Sequence, residues 1–310
     1  MSARARLQVE HAGPLATLQD AGRFGVRRLG VTQGGPVDLH AWAWANRLMG
    51  NAWGAAALEI TFGGLTLIAE ARTSLALAGA DLAATLDDTP LDPWSSFTIE
   101  AGQRLRFARP ASGLRSYLAV PGGFLAEPVL GSISCVSREE LGGHDGYGGK
   151  LCDGDELLFR AATRDAERLP DDRRPDYTQP ARLALVPGAQ IADFDGASLF
   201  AAFNRAWRVD PRSDRMGVRL DGPRLNCRVS GMISEGLGLG AVQVPPDGQP
   251  IALLNDRQTI GGYPRLGALT PLACARLAQC LPGHEVHLRA EALESAQAAH
   301  RRFLGEFRRS

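Results

Sequence analysis

The amino-acid sequence predicts a mostly β protein with a few helices. Glycine accounts for 36 of the 310 residues. Paired glycines lie between short apolar runs, at 34–35, 63–64, 122–123, 142–143, 148–149 and 261–262. Because glycine accepts backbone conformations with positive φ, this spacing is typical of strands joined by tight turns. Only a few stretches repeat apolar residues every three or four positions, as helices do.

Two stretches have helical apolar spacing. The first begins after Asp38, a residue type that caps helix N-termini, and ends at Gly50. The second begins after Asp195. Its apolar face is predicted to consist of Leu199, Phe200, Phe203 and Trp207. Further helices are expected within 271–280 and 291–303.

Most other apolar residues occur in short runs bounded by turn residues, and these runs predict strands. They lie at 58–62, 65–68, 75–78, 98–107, 117–120 and 183–186. A further pair of runs, 241–244 and 251–254, flanks Pro-Pro-Asp-Gly at 245–248. Proline presets φ, aspartate bonds its own backbone and glycine accepts positive φ, so this tetrapeptide favours a turn. The pair therefore predicts a hairpin of two buried strands.

A polar stretch at 163–180 interrupts the strand pattern. It combines Pro170, Pro175 and Pro180 with many charged residues. Low hydrophobicity together with proline indicates an exposed linker, although a solvated loop within one domain is the alternative. The sequence therefore predicts an N-terminal β lobe over 1–165 and a C-terminal β lobe over 180–310 that ends in a helix.

Composition and charge argue against several classes of protein. The formal net charge is zero, which gives no electrostatic basis for binding nucleic acid or an anionic membrane. No apolar run has the length of a membrane span or of a signal peptide. The five cysteines are scattered without the spacing of zinc ligands. We therefore expect a cytoplasmic protein with free thiols, without a bound metal and without nucleic-acid or membrane partners.

Lysine usage argues against a carrier or nucleotide-loop role for this chain. Lys150 is the only lysine among 34 basic residues. It stands in Gly-Gly-Lys-Leu, whereas a biotin carrier needs its lysine in a Met-Lys-Met-like hairpin. A Walker A loop also fails, because position 144 is His and position 151 is Leu. Any carrier lysine or phosphate loop must therefore belong to another protein.

The second strand of the predicted hairpin ends in a polar cluster. Its members are Asn255, Asp256, Arg257, Gln258 and Thr259, followed by Gly261, Gly262 and Tyr263. Glycines let a ligand approach the backbone, so the cluster predicts a binding site. Arg257 offers a planar fork to a carboxylate or phosphate, and Asp256 can position an amide N–H. The alternative is a structural ion pair.

Asp214 and Arg215 repeat this chemistry within Ser-Asp-Arg-Met-Gly. Two Asp-Arg dipeptides beside glycines can converge on one polar site from different strands. The alternative is a turn or a cap, because Ser-Asp is common in both.

Near the N-terminus, Gln19 and Asp20 precede Gly22 and Arg23. This group is compatible with recognition of a ligand or partner. It is equally compatible with an Asx-turn that holds the N-terminal strand.

The sequence lacks an obvious nucleophile. No histidine has a serine, cysteine or metal-spaced partner, and nucleophile elbows and His-Glu-x-x-His motifs do not occur. The pattern favours a site that positions a substrate over one that forms a covalent enzyme intermediate.

These motifs, together with Ser234-Glu235-Gly236, resemble the biotin-dependent carboxyltransferase family from about Val9 to Leu288. That family includes allophanate hydrolase subunit 2, the C subunit of 5-oxoprolinase and the antagonist of the Kip sporulation-kinase inhibitor. The resemblance implies two β-barrel lobes of cyclophilin-like type. The glycine-rich loop at 142–150 departs from the family pattern, because it is about two residues longer and carries lysine where relatives carry arginine.

The resemblance also implies a function. It implies a subunit of an ATP-dependent 5-oxoprolinase-type complex that opens the cyclic amide of 5-oxoproline to glutamate and is inactive alone. The expected partner is homologous to the Kip inhibitor or allophanate hydrolase subunit 1. The complex is expected to use ATP, and biotin is not attached to this chain. Two alternatives are a carboxyltransferase half-site that moves carboxyl from carboxybiotin to urea or a similar amide, and a non-catalytic regulatory partner of a Kip-inhibitor-like protein.

The residues that match the family motifs form the predicted site. Those expected to act in catalysis are Asp256, Arg257, Arg215 and Asp214. Those expected to bind substrate are Gln243, Gln258, Thr259, Gly261, Gly262, Tyr263, Ser234, Glu235, Gln19, Asp20 and Arg23.

Overall fold

The structure is a computed structural model that describes residues 4–229 and 232–308. The chain divides into two units. Unit 1 comprises the chain up to Phe24, Gly34–Thr178 and the chain from Phe307, and unit 2 comprises Gly25–Gln33 and Gln179–Glu306. Strands dominate both units, and four α-helices occur in the described residues. The predicted class, mostly β with a few helices, is confirmed.

Unit 1 contains two antiparallel sheets and one α-helix. In chain order the elements are β1 (Arg4–Ala12), β2 (Leu15–Gln19), α1 (Leu39–Leu48), β3 (Ala57–Thr61), β4 (Leu65–Ala69), β5 (Thr73–Asp81), β6 (Thr85–Leu86), β7 (Thr89–Pro90), β8 (Ser95–Ile99), β9 (Arg104–Arg106), β10 (Ser112–Ala119) and β11 (Glu156–Arg160). The six-stranded sheet has the order β11-β1-β4-β9-β6-β7, and the five-stranded sheet has the order β2-β3-β10-β5-β8. Leu7 and Leu67 of the first sheet share one core with Leu58 and Leu77 of the second.

Unit 2 contains a closed barrel of seven strands. The elements of unit 2 are β12 (Ala181–Pro187), α2 (Gly196–Asn204), β13 (Trp207–Val209), β14 (Gly217–Asp221), β15 (Glu235–Gly236), β16 (Ala241–Gln243), β17 (Ile251–Leu253), β18 (Ile260–Gly261), β19 (Arg265–Leu269), α3 (Pro271–Leu277), β20 (Glu285–Ala290) and α4 (Leu293–Phe307). The barrel order is β12-β19-β16-β17-β14-β13-β20, and β20 pairs in parallel with β12 to close the barrel. Strands β15 and β18 form a separate two-stranded ladder.

Short 3-10 helices complete the secondary structure of the described residues. They lie at Arg27–Leu29, Ser137–Glu139, Asp171–Arg173 and Ala189–Asp193. The first belongs to unit 2 although it precedes most of unit 1 in the chain. Its residue Arg27 donates a hydrogen bond to the Leu237 carbonyl oxygen of the same unit.

The predicted N-cap of α1, the predicted start of α2 after Asp195 and the predicted hairpin are confirmed. Asp38 accepts a hydrogen bond from the Ala41 amide at the start of α1 (2.9 Å), and Asp195 accepts one from Ser198 at the start of α2 (2.7 Å). Strands β16 and β17 pair antiparallel, with Gln243 opposite Ile251. The hairpin could be predicted because turn chemistry and flanking apolar runs are local signals in the sequence.

Three details of the predicted secondary structure are wrong. Trp207 does not extend the face of α2 but lies buried in β13, where its indole N–H donates to the Ala202 carbonyl oxygen (3.1 Å). Phe200, predicted on the same apolar face, is exposed. The apolar run 98–107 is two strands, β8 and β9, because Gly102 has positive φ and turns the chain between them.

Two properties of the described residues bear on function. No helix among them combines the length and the apolar character that crossing a membrane requires. Within the same residues, no three His, Cys, Asp or Glu side chains are placed to hold a metal ion together.

The turn between β3 and β4 gives a stability prediction. Gly63 has φ +74°, and a Cβ built on it would overlap the carbonyl oxygen of Ala108. Gly63→Ala is therefore expected to lower the free energy of unfolding by about 2–4 kcal/mol, from backbone strain and overpacking together. Gly122 is the matched control, because its φ is also +74° but nothing lies within 4 Å of its Cβ position.

Denaturant unfolding of the two variants checks this prediction. Gly122→Ala carries only the backbone strain, which costs about 1–2 kcal/mol. Equal losses in the two variants would show that the contact with Ala108 contributes nothing.

Candidate functional site

The first three residues of the polar cluster that follows β17 lie inside unit 2 rather than on its surface. Asn255 and Asp256 are each 6% exposed and Arg257 is 3% exposed. Charged side chains are rarely buried without partners, so each of these groups needs an explanation. The backbone of the cluster is held against the segment before β14, since the Asp256 amide donates to the Arg215 carbonyl oxygen (3.0 Å).

The structure brings the two Asp-Arg dipeptides together. Arg215 donates from Nε to Asp256 Oδ2 (2.8 Å) and from Nη2 to Asp256 Oδ1 (3.0 Å). The two side chains are only 10% and 8% exposed. Such a two-point pair fixes the plane of the carboxylate. The ion pair therefore connects one dipeptide with the other, and Asp256 pairs with Arg215 rather than with the arginine next to it in the sequence.

Arg257 is bound by backbone carbonyls. Its Nε donates to Leu237 O (3.2 Å) and its Nη1 donates to Leu254 O (3.0 Å). Burial lowers the pKa of Arg257 to about 10, and the neighbouring cation of Arg27 contributes to the same shift. The guanidinium is still protonated at neutral pH, so the site carries a buried positive charge.

Arg27 is a site residue that the sequence did not reveal. It lies on the 3-10 helix Arg27–Leu29, and its Nη2 donates to Leu237 O and to Thr259 O (3.3 Å). Burial lowers its pKa as well. The sequence holds no local signal for this role, because the carbonyls that receive Arg27 lie more than 200 residues further along the chain.

Two glutamines contribute amide groups to the same region. Gln258 Nε2 donates to Gln243 Oε1 (3.5 Å), while Gln243 Nε2 is buried without a hydrogen-bond partner among the described residues. A Cβ at Gly261 would lie 2.8 Å from Gln243 Nε2 and 2.7 Å from Leu237 Cδ1. Glycine at 261 thus keeps the space in front of the Gln243 amide open.

The remaining predicted residues of unit 2 have other surroundings. Asp214 is exposed and its Oδ1 accepts from the amides of Met216 (2.8 Å) and Gly217 (3.2 Å), as in a turn. Glu235 is exposed and pairs with Arg265, and Ser234 is exposed beside it.

Tyr263 is 45% exposed and lines a cavity of about 170 Å³. Thr259 contributes its carbonyl oxygen, as described above. For Gly262, a Cβ would lie 2.8 Å from Met232 O.

The three N-terminal residues of the predicted site belong to unit 1 and bind the segment 129–135. Asp20 accepts from Ser132 Oγ (2.5 Å), Ser134 Oγ (2.6 Å) and the amide of Ile133 (2.9 Å). Its Oδ1 also accepts from the Gly22 amide (2.9 Å), which is the Asx-turn named as an alternative.

Arg23 and Gln19 fasten the same segment. Arg23 donates to the carbonyl oxygens of Val129 (3.0 Å) and Ser134 (2.5 Å), and Gln19 Nε2 donates to Cys135 O (3.0 Å). These contacts hold a loop of unit 1 in place, which is a structural role. Their role in substrate binding stays a prediction.

A cavity of about 520 Å³ in unit 2 contains none of the predicted residues. It lies between β12, β19 and α4, and its walls include Val186, Leu269, Leu293 and His300. Its lining is mostly apolar, whereas the buried cluster around Arg257 carries charge and hydrogen-bond donors. The chemistry of a polar substrate therefore favours the cluster.

The sequence and the fold of this chain were compared with those of known proteins. The family model described as carboxyltransferase domain, subdomain A and B, matches residues 29–290, and the chain belongs to this family. The identity of its relatives narrows the assignment. The chain is 40% identical over 294 residues to the 5-oxoprolinase C subunit of Escherichia coli, covering 94% of each chain, and 35% identical over 298 residues to that of Haemophilus influenzae, covering 95% of each.

A solved structure shows the same fold within a larger enzyme. The urea amidolyase of K. lactis superposes with a TM-score of 0.89 at 25% sequence identity. The match covers 99% of this chain but only 20% of that protein. The resemblance to this family deduced from the motifs is confirmed.

The buried ion pair gives a prediction about stability. Arg215→Ala and Asp256→Ala are each expected to lower the free energy of unfolding by about 3–5 kcal/mol, because each leaves a buried charge without its partner. The double variant is expected to lose less than the sum. Chemical denaturation of the four proteins measures this coupling.

A surface pair of the same barrel is the control. Arg289 is 68% exposed and pairs with Glu291, so Arg289→Ala is expected to cost about 0–1 kcal/mol. Strictly additive losses for Arg215→Ala and Asp256→Ala would contradict a coupled pair.

Proposed function

We propose that this chain is a subunit of an ATP-dependent 5-oxoprolinase-type complex that opens the cyclic amide of 5-oxoproline to glutamate. The observation that carries the proposal is the 40% identity to the C subunit of a 5-oxoprolinase over 94% of both chains. Identity over whole lengths supports a shared role better than a shared fold does, because one fold serves many functions.

The chemistry of the buried cluster supports a small amide as substrate. The carboxylate of Asp256 is oriented by Arg215, and a carboxylate is a suitable acceptor for the ring N–H of a lactam. Arg257 and the amide of Gln243 supply donors for the oxygens of the substrate. Donors placed in advance stabilise the negative charge that develops on a carbonyl oxygen when water attacks it.

We assign ATP binding to a partner protein. The chain has one lysine, Lys150, and its ammonium donates to the Pro14 carbonyl oxygen (3.1 Å) on the surface of unit 1. No Walker A sequence surrounds it. The partner we propose is homologous to the Kip inhibitor or allophanate hydrolase subunit 1. In the complex, ATP hydrolysis drives cleavage of the lactam C–N bond by water.

A carboxyltransferase half-site is the second candidate. The family and the fold shared with urea amidolyase favour it. In that case the Asp256 and Arg257 groups would position urea or a similar amide to receive a carboxyl group from carboxybiotin. The two candidates differ in the substrate that stimulates ATP hydrolysis.

Reconstitution tests the proposed function. The chain alone is expected to release no phosphate from ATP, with or without 5-oxoproline, whereas the complex with its partner is expected to release phosphate and form glutamate. Lys150→Met is the control, because this lysine lies outside the proposed site and its loss should leave the rate unchanged. Phosphate release and glutamate are measured on the same samples.

The outcomes separate the candidates. Turnover by the chain alone would contradict the role of a subunit. Separate elution of the two chains at micromolar concentration on size exclusion would argue against the complex. Product formation from urea and bicarbonate, dependent on a biotin carrier and without glutamate from 5-oxoproline, would favour the half-site. A stable complex without either activity would favour a regulatory role.

A further inference from the structure

Two guanidinium groups of unit 2 meet on one backbone carbonyl. Leu237 O accepts from Nη2 of Arg27 and from Nε of Arg257 (3.2 Å). The two side chains come from opposite ends of the sequence, one from a 3-10 helix and one from the polar cluster after β17. Like charges held this close repel each other, so the arrangement needs a compensating group.

The described residues do not supply that compensation as a salt bridge. Within 4–229 and 232–308, neither Arg27 nor Arg257 forms an ion pair, and their hydrogen bonds go to the carbonyls of Leu237, Leu254 and Thr259. The neighbouring carboxylate of Asp256 is bound at two points by Arg215. Carbonyl dipoles satisfy donors but do not neutralise two full charges.

The electrostatics of the pair agree with this geometry. Burial lowers the pKa of Arg27, and burial followed by the charge of Arg27 lowers the pKa of Arg257 to about 10. A bound anion would oppose both effects. A buried cation without a counter-ion is costly, and proteins keep such groups where a ligand provides the missing charge.

The buried side-chain atoms of this region that have no hydrogen-bond partner among the described residues are donors. Nη1 of Arg27 is buried without a partner among the described residues, and so is Nε2 of Gln243. The bonds of Arg257 to carbonyls use Nε and Nη1 and do not engage Nη2. Gln243 lies near the same residue as the two arginines, because a Cβ built on Gly261 would touch both the Gln243 amide and the Leu237 side chain. The complementary ligand is therefore anionic and rich in acceptors.

We propose that Arg27 and Arg257 form a carboxylate-binding subsite, and that Arg27 makes the site selective for a cyclic amide that carries a carboxylate over a neutral amide. A guanidinium fork matches a carboxylate in geometry as well as in charge. Gln243 is left to donate to the amide carbonyl. The inference rests on the proposed function and adds to it the class of substrate: 5-oxoproline carries such a carboxylate, and urea does not.

The test compares 5-oxoproline with its neutral carboxamide on the reconstituted complex. For Arg27→Gln, the KM for 5-oxoproline is expected to rise by about 10- to 150-fold, the factor that corresponds to losing a charge-assisted hydrogen bond. The inhibition constant of the carboxamide, measured in competition with 5-oxoproline, should stay unchanged, because this ligand has no carboxylate to lose. Arg27→Lys keeps the charge and should recover part of the affinity.

Arg28→Gln is the matched control. Arg28 is the next residue of the same 3-10 helix, but it is exposed and its Nε donates only to Gly25 O (3.3 Å). This variant should keep the wild-type KM for 5-oxoproline. Melting temperatures of all variants are recorded. If Arg27→Gln does not fold, the KM for 5-oxoproline and the inhibition constant of the carboxamide in Arg27→Lys decide whether the subsite exists.

Binding to the full chain, with and without the partner, makes failure of the subsite distinguishable from failure of the proposed function. Titration calorimetry measures the affinities for 5-oxoproline and for its carboxamide.

If the complex does not produce glutamate but binds the acid more tightly than the carboxamide in a manner that depends on Arg27, the function is wrong and the subsite stands. If glutamate forms with an unchanged KM in Arg27→Gln, or if the affinities for both ligands fall equally, the subsite is wrong. A rise in the KM for ATP alone would assign the pair to a phosphate and overturn the proposal, and binding of neither ligand would overturn both.

Discussion

The buried ion pair between Arg215 and Asp256 is the interaction on which the candidate site depends. It connects the segment before β14 with the segment after β17, two neighbouring barrel strands whose amide and carbonyl groups also bond across this point. A two-point pair inside a protein allows little rotation, so the backbone of Asp256 is fixed as well. Because Arg257 is the next residue, the pair also directs its guanidinium toward the Leu237 carbonyl. Without it, two charges would remain buried and the turn would lose its orientation.

Once this turn is fixed, the site has more donors than acceptors. Arg27, Arg257 and Gln243 all present N–H groups, and Asp256 contributes a carboxylate that Arg215 orients. Such a set can hold a small amide by its oxygens and its nitrogen, and it stabilises charge on oxygen without forming a bond to it. None of these groups is an activated nucleophile. The thiol of Cys274 interacts electrostatically with Arg257, but burial raises its pKa to about 12, so it stays protonated at neutral pH.

What the sequence predicted well was local. The hairpin β16–β17 followed from a Pro-Pro-Asp-Gly turn between two apolar runs, and the cap Asp38 followed from its residue type. Trp207 was misassigned because apolar spacing continues past the end of α2 into a strand that is buried on tertiary grounds. The polar cluster was found because five polar residues at the end of a buried strand are unusual. The pairing of Asp256 with Arg215, instead of within each dipeptide, is a consequence of the antiparallel pairing of β14 with β17, which no local pattern contains.

Arg27 shows most clearly where sequence reasoning ends, because the carbonyls that it binds lie more than 200 residues further along the chain. The barrel strands set the positions of Asp256, Arg257 and Gln243, and a change in any of them disturbs buried contacts of the barrel itself. Arg27 comes instead from a short helix outside the barrel order, and only its guanidinium reaches the Leu237 and Thr259 carbonyls. In the proposed subsite, replacing Arg27 changes the charge of the site without replacing a residue of a barrel strand. The proposal therefore assigns selectivity between an anionic lactam and a neutral amide to a residue outside the barrel strands, and neither the fold nor the family by itself identifies the substrate.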